Sequence, residues 1–131
     1  MRIDAVSRYL ESIGARSLAD GEWGLTVPDE HPLDIGIRVA DGLVRIQAFA
    51  VPAVDAPADE DVLHWNRSTR VVRFARTRSG DLWVQADLLA SVADPDSLDA
   101  VLGLVVEASR SARAVAYDAA PADGGWLSGP A

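Results

Sequence analysis

The chain has no cysteine and no lysine, one methionine, and two histidines in 131 residues. Without cysteine there can be no disulfide framework and no thiolate metal site, which fits a reducing cytoplasm. His31 and His64 show no HExxH spacing and no evident carboxylate partner, so no metal site is expected. There is no GxGxxG loop, no Walker loop and no nucleophile elbow; Gly124-Gly125 follows no strand. No catalytic residue and no cofactor is expected on these grounds. Long apolar runs are missing too, so membrane insertion is not expected. The opening MRIDAVSRYLESIG places charges among its apolar positions and does not read as a signal peptide.

What is present is a hydrophobic fraction of 49%, enough for one folded domain with a real core. Twenty acids against twelve bases leave a formal charge of −8, which argues against a nucleic-acid partner. All the bases are arginine, and Arg67, Arg70, Arg73, Arg76 and Arg78 crowd together just after Asp55, Asp59, Glu60 and Asp61.

Residues 2–14 predict a first helix, because Ile3, Val6, Leu10 and Ile13 recur at helical spacing and Gly14 can stop it. Glu22–Val27 alternates as a strand, with Trp23 on the core side, and Pro28 and Pro32 bracket a loop. Asp34–Ala40 and Leu43–Val51 flank Asp41-Gly42, the strongest short-range hairpin signal. That register puts Ile35, Ile37, Val39, Val44, Ile46, Ala48 and Ala50 on one face. The other face carries Arg38, Leu43, Arg45, Gln47 and Phe49, with Arg38 directly opposite Arg45. Such a pair is unfavourable unless a carboxylate or anion intervenes.

A short acidic helix is expected at about residues 58–68, with Val62, Leu63 and Trp65 as its few apolar positions. A second hairpin follows. A three-residue loop at Arg78-Ser79-Gly80 aligns Phe74 with Val84 and keeps the apolar residues on one side. Arg73, Ala75, Trp83, Gln85 and Asp87 then point the other way. Asp94, Pro95 and Asp96 start a long last helix whose stripe is Leu98, Val101, Leu102, Val105, Ala108 and Ala112. Residues 118–131 read as a flexible C-terminal tail containing Trp126. The fold class is therefore α+β, in the order α-β-β-β-α-β-β-α. One antiparallel sheet carries helices 1 and 3 on one face.

Asn66 at the end of the short helix, Arg73-Phe74, and Gly80-Asp81-Leu82-Trp83-Val84 running to Asp87-Leu88 together resemble the YbjN-like proteins. These are grouped with the type III secretion chaperones, and the likeness in element order covers about residues 1–117. The resemblance implies a type III secretion chaperone-like fold and a non-enzymatic domain that holds a segment of another protein. It also implies homodimers formed through the second helix, although that helix is unusually short and acidic here. Candidate partner-binding residues are Arg38, Leu43, Arg45, Phe49, Trp65, Arg73, Trp83 and Gln85. The partner is another protein or a second copy of the chain. The alternatives are a regulatory or structural dimerisation domain without a client and, ranked third, a small-ligand binder.

Overall fold

The computed structural model describes residues 2–117, with side chains from Ala5 onward. The C-terminal segment with Trp126, and the side chain of Ile3, lie outside the described residues. The elements are α1 (Arg2–Ser12), β1 (Arg16–Ala19), β2 (Glu22–Val27), β3 (Leu33–Ala40) and β4 (Leu43–Val51), followed by α2 (Asp59–Asn66), β5 (Arg73–Arg76), β6 (Leu82–Leu89) and α3 (Pro95–Tyr117). Short 3-10 turns at Ala53–Asp55 and Ala90–Val92 follow β4 and β6. The expected order stands, with one strand added at its front.

That strand, β1, pairs with β2 across Asp20-Gly21. Its four residues are all exposed, so no apolar alternation betrays it. Gly21 has φ +72, and a Cβ there would stand 2.8 Å from the Val39 carbonyl oxygen, so the turn requires glycine.

All six strands are antiparallel, in the order β1-β2-β3-β4-β6-β5. The β3–β4 register is the one the Asp-Gly turn dictates, pairing Val39 with Val44, Ile37 with Ile46 and Arg38 with Arg45. Asp41 and Gly42 both adopt positive φ, as that turn demands. In the second hairpin Phe74 pairs with Val84. The Thr77 N–H donates to the Asp81 carbonyl at 3.0 Å, closing a three-residue loop with Gly80 at φ +95.

One face of the sheet is the core. Ile35, Ile37, Val44, Ile46, Ala48, Phe74, Val84 and Ala86 are buried there against Val6 and Leu10 of α1 and Leu98, Val101, Val105, Ala108 and Ala112 of α3. The long helix α3 lies on β4 and β6, and α1 packs beside it. Its start is a reciprocal cap, the Ser97 N–H donating to Asp94 Oδ1 at 2.8 Å and the Asp94 N–H to Ser97 Oγ at 3.0 Å. Near its end, Arg113 gathers backbone carbonyls: Ala50 at 2.7 Å, Pro32 at 3.2 Å, Phe49 at 3.3 Å, and His31. One guanidinium thus ties the end of α3 to the β2–β3 loop and to the end of β4.

The short helix α2 corrects the expectation for Trp65. It packs beside β5 on the core face, so Trp65 is only 5% exposed and meets Phe74 edge-on at 5.5 Å between ring centroids. Trp65 is a core residue and not part of an exposed partner surface. An eight-residue helix is unstable alone, and it buries Trp65, its largest apolar side chain, together with Val62.

Candidate functional site

The opposite face of the sheet is the remaining surface of interest. Strand geometry sends Glu22, Thr26, Asp34, Arg38, Leu43, Arg45, Gln47, Phe49, Arg73, Trp83, Gln85, Asp87 and Leu89 outward, and every one of them is exposed or half-buried. None of them is fully buried, although the indole nitrogen of Trp83 is shielded by its neighbours.

Their chemistry runs in rows along the β4–β6 seam. Leu43 pairs with Leu89 at one end, the two being 36% and 59% exposed. The next row holds Arg45 opposite Asp87, with Arg38 beside Arg45 on β3. Then come Gln47 and Gln85, whose amides are joined at 3.2 Å. Phe49 and Trp83 close the far end, stacked with centroids 5.4 Å apart.

The carboxylate that offsets the Arg38–Arg45 pair is Asp87, on the side of Arg45 away from Arg38 and not between the two. It takes a two-pronged contact from Arg45, at 2.8 and 3.0 Å, and a further one from Arg73 at 3.2 Å. The hydrogen bond from Arg45 is the main reason its carboxyl titrates below the ordinary range, with Arg73 adding to it and burial opposing. A depressed folded-state pKa contributes stability above the ordinary carboxylate value of about 3.9, and that stability disappears as pH falls through the lower folded value. Asp87→Asn should therefore flatten part of the acid limb of a stability-versus-pH curve below about pH 4. Chemical denaturation at pH 7, 4 and 3 measures it, and an unchanged acid limb contradicts the pairing.

Arg38 itself is exposed and makes no ion pair among the described residues. With Glu22 opposite Arg38 on β2, the belt of Glu22, Arg38, Arg45, Arg73 and Asp87 carries one net positive charge on a chain of net charge −8. A shallow hollow of about 340 Å³ opens over Arg38, Leu43, Arg45 and Gln47. A second of about 240 Å³ lies over Gln47, Ala75, Trp83 and Gln85. The Trp83 indole N–H finds no acceptor among the described residues.

Seven of the eight residues singled out from sequence, Arg38, Leu43, Arg45, Phe49, Arg73, Trp83 and Gln85, share this face; Trp65 alone lies beneath the sheet. Leu89 was missed, although it continues the same two-residue period as Trp83, Gln85 and Asp87.

Of the two edges of the sheet, the one at β5 is shielded at Phe74. The Asn66 amide donates to the Phe74 carbonyl at 2.9 Å and accepts the Phe74 N–H at 2.7 Å. One side chain thereby imitates a neighbouring strand at the outermost strand β5.

The YbjN family model, described as "Putative bacterial sensory transduction regulator", matches residues 35–116, a span that includes the Asn66 clamp and the outward rows of β3 to β6. The chain belongs to the YbjN family. No curated protein matches its sequence. In three dimensions it is similar to a chain of the ExsC–ExsE complex, at TM-score 0.67 and 13% identity, covering 89% of this chain and 94% of that one. A chain from the Yersinia pestis type III secretion chaperone SycH in complex with a fragment of YscM2 matches at TM-score 0.67 and 13% identity, covering 86% and 99%. A chain of the HopA1–SchA chaperone–effector complex matches at TM-score 0.65 and 11% identity, covering 84% and 91%. The fold is thus the type III secretion chaperone-like one.

The residues that carry the YbjN resemblance are mostly scaffold. Asn66 holds Phe74; Asp81 Oδ1 accepts the Ala53 N–H at 2.9 Å; Gly80 permits the left-handed turn. Of that motif Arg73, Trp83 and Asp87 face outward.

Proposed function

We propose that this YbjN-family domain is a non-catalytic, cytoplasmic adaptor that receives a segment of another protein on its uncovered sheet face. The carrying observation is the sidedness of the sheet. All three helices pack on one face, and the other keeps Leu43, Leu89, Phe49 and Trp83 accessible around an arginine belt. Exposed aromatic and arginine side chains are the residue types that dominate binding energies at interfaces. The family match and the likeness to chaperone chains solved with protein partners support a protein-binding role.

A second reading, a homodimer through the same face, is favoured by the exposed Leu43–Leu89 pair, which two copies could share. Both are tested with tagged full-length protein and an Arg38→Glu, Leu89→Glu variant, whose positions are exposed and should leave the melting temperature unchanged. The adaptor reading expects a specific co-purifying protein that the variant loses by at least tenfold. Equal capture by both proteins overturns it. Sedimentation that shows dimers of the parent and monomers of the variant, with no co-purifying protein, replaces it with the homodimer.

A further inference from the structure

The order of rows on the open face specifies what kind of segment fits it, an inference that rests on the adaptor reading. Same-face residues on a strand are about 6.7 Å apart and neighbouring strands about 4.8 Å apart. The patch from Leu43 to Phe49, and from β3 across to β5, therefore measures about 20 Å by about 14 Å. That is well under the roughly 800 Å² per partner that two rigid globular proteins bury in a standard interface. A single segment suits it better than a folded surface.

Charge decides the rest. Asp87, and Glu22 opposite Arg38 on β2, neutralise only part of the belt; Arg38 makes no ion pair among the described residues, and one net positive charge remains around Arg38, Arg45 and Arg73. A lysine or arginine placed there would face like charges, whereas a carboxylate gains charge-assisted hydrogen bonds. The glutamine row offers amide groups to a polar side chain or main chain, and the Phe49–Trp83 stack offers an apolar surface about 13 Å beyond the belt. Added strands at the β5 edge are not the route, because the Asn66 amide occupies the Phe74 main-chain groups there.

We infer that the face selects an acidic segment of a partner protein, laid extended along the β4–β6 seam. Its carboxylate rests on Arg38 and Arg45, one apolar residue two positions away sits over Leu43 and Leu89, and another four positions away on the other side meets Phe49 and Trp83. The spacing follows from matching an extended chain to the rows beneath it.

The test uses the full chain, labelled with nitrogen-15, and blocked seven-residue probes with leucine first, glutamate third, phenylalanine seventh and serine elsewhere. The reversed probe covers the opposite chain direction, and copies with lysine in place of glutamate control for charge. We expect weak binding by one direction, with amide shifts confined to β4, β6, the Arg38 region of β3 and the Trp83 indole, and at least fivefold weaker binding of its lysine copy. Arg38→Glu should weaken the glutamate probe at least threefold, whereas Asp87→Asn, which frees positive charge, should tighten it. A merely structural role for these groups would not move affinity in opposite directions. Equal binding of glutamate and lysine probes, shifts elsewhere on the molecule, or indifference to both substitutions overturns the inference. If the Arg38→Glu, Leu89→Glu variant still loses the native partner while the probes show no charge preference, the adaptor reading stands and only the acidic motif falls. If that variant keeps the native partner, both fall.

Discussion

Trp65→Ala is expected to cost about 3–5 kcal/mol, the range for removing a large buried aromatic, and to lower the melting temperature by on the order of 10–20 °C. The reason is its position between α2 and the sheet: the ring is almost fully buried and packs on the edge of Phe74. Its loss opens a cavity and also removes the main apolar contact that holds an eight-residue helix in place. Trp83→Ala is the informative comparison. That ring is half-buried on the open face and stacks on Phe49, so stability should fall by little more than the roughly 0.5–1.5 kcal/mol of an aromatic pair. Thermal melts of the two variants side by side separate core from surface. Equal losses would contradict the assignment of the two tryptophans to opposite sides of the sheet.

Asn66→Ala should cost about 2–3 kcal/mol, because it withdraws both hydrogen bonds that the amide makes with the Phe74 main chain in a partly buried setting. It should also make the protein associate with rising concentration, since the outer side of β5 then presents strand groups without the amide that shields them. Asn66→Asp is a sharper variant. It keeps an acceptor for the Phe74 N–H but sets a carboxylate oxygen against the Phe74 carbonyl, so its deficit should be larger at pH 7 than at pH 4. Denaturant titrations at both pH values, with sedimentation across a concentration series, check the two parts. A monomeric Asn66→Ala protein of unchanged stability would show that the clamp is incidental.

Both variants bear on how the YbjN motif should be read. Asn66, Gly80 and Asp81 fix an edge, a turn and a loop anchor. Their presence in a sequence reports the fold and says little about what the fold binds. Of the proposed binding residues, Arg38, Leu43, Arg45, Phe49 and Leu89 lie outside the motif.

Several features were legible in the residues because they depend on neighbours in the chain. The Asp41-Gly42 turn sets the β3–β4 register, since two positive φ values in a two-residue loop leave one pairing. The loop ending in Gly80 was chosen by keeping Phe74 and Val84 on one face, and the cap at Asp94 by its side chain and the following proline. The strand β1 escaped notice although Asp20-Gly21 signals its turn, because four exposed residues give no hydrophobic period to read.

The sequence by itself determined five of the six strands, their alternation, and thus which residues share a face with Arg45 and Trp83. Alternation is a property of the backbone and needs no knowledge of what lies above it. Tertiary structure alone decided where the short helix goes, beneath the sheet and not over its outward face. Trp65 has the composition of a surface anchor, yet α2 docks it on Phe74, because burying an aromatic beside the core offsets the entropy of ordering so short a helix. Asp87 likewise became the carboxylate between arginines only once β6 lay against β4, a pairing that crosses α2 and β5 in the chain. Long-range pairing of that kind is set by the packing of the whole sheet, and local spacing cannot reveal it.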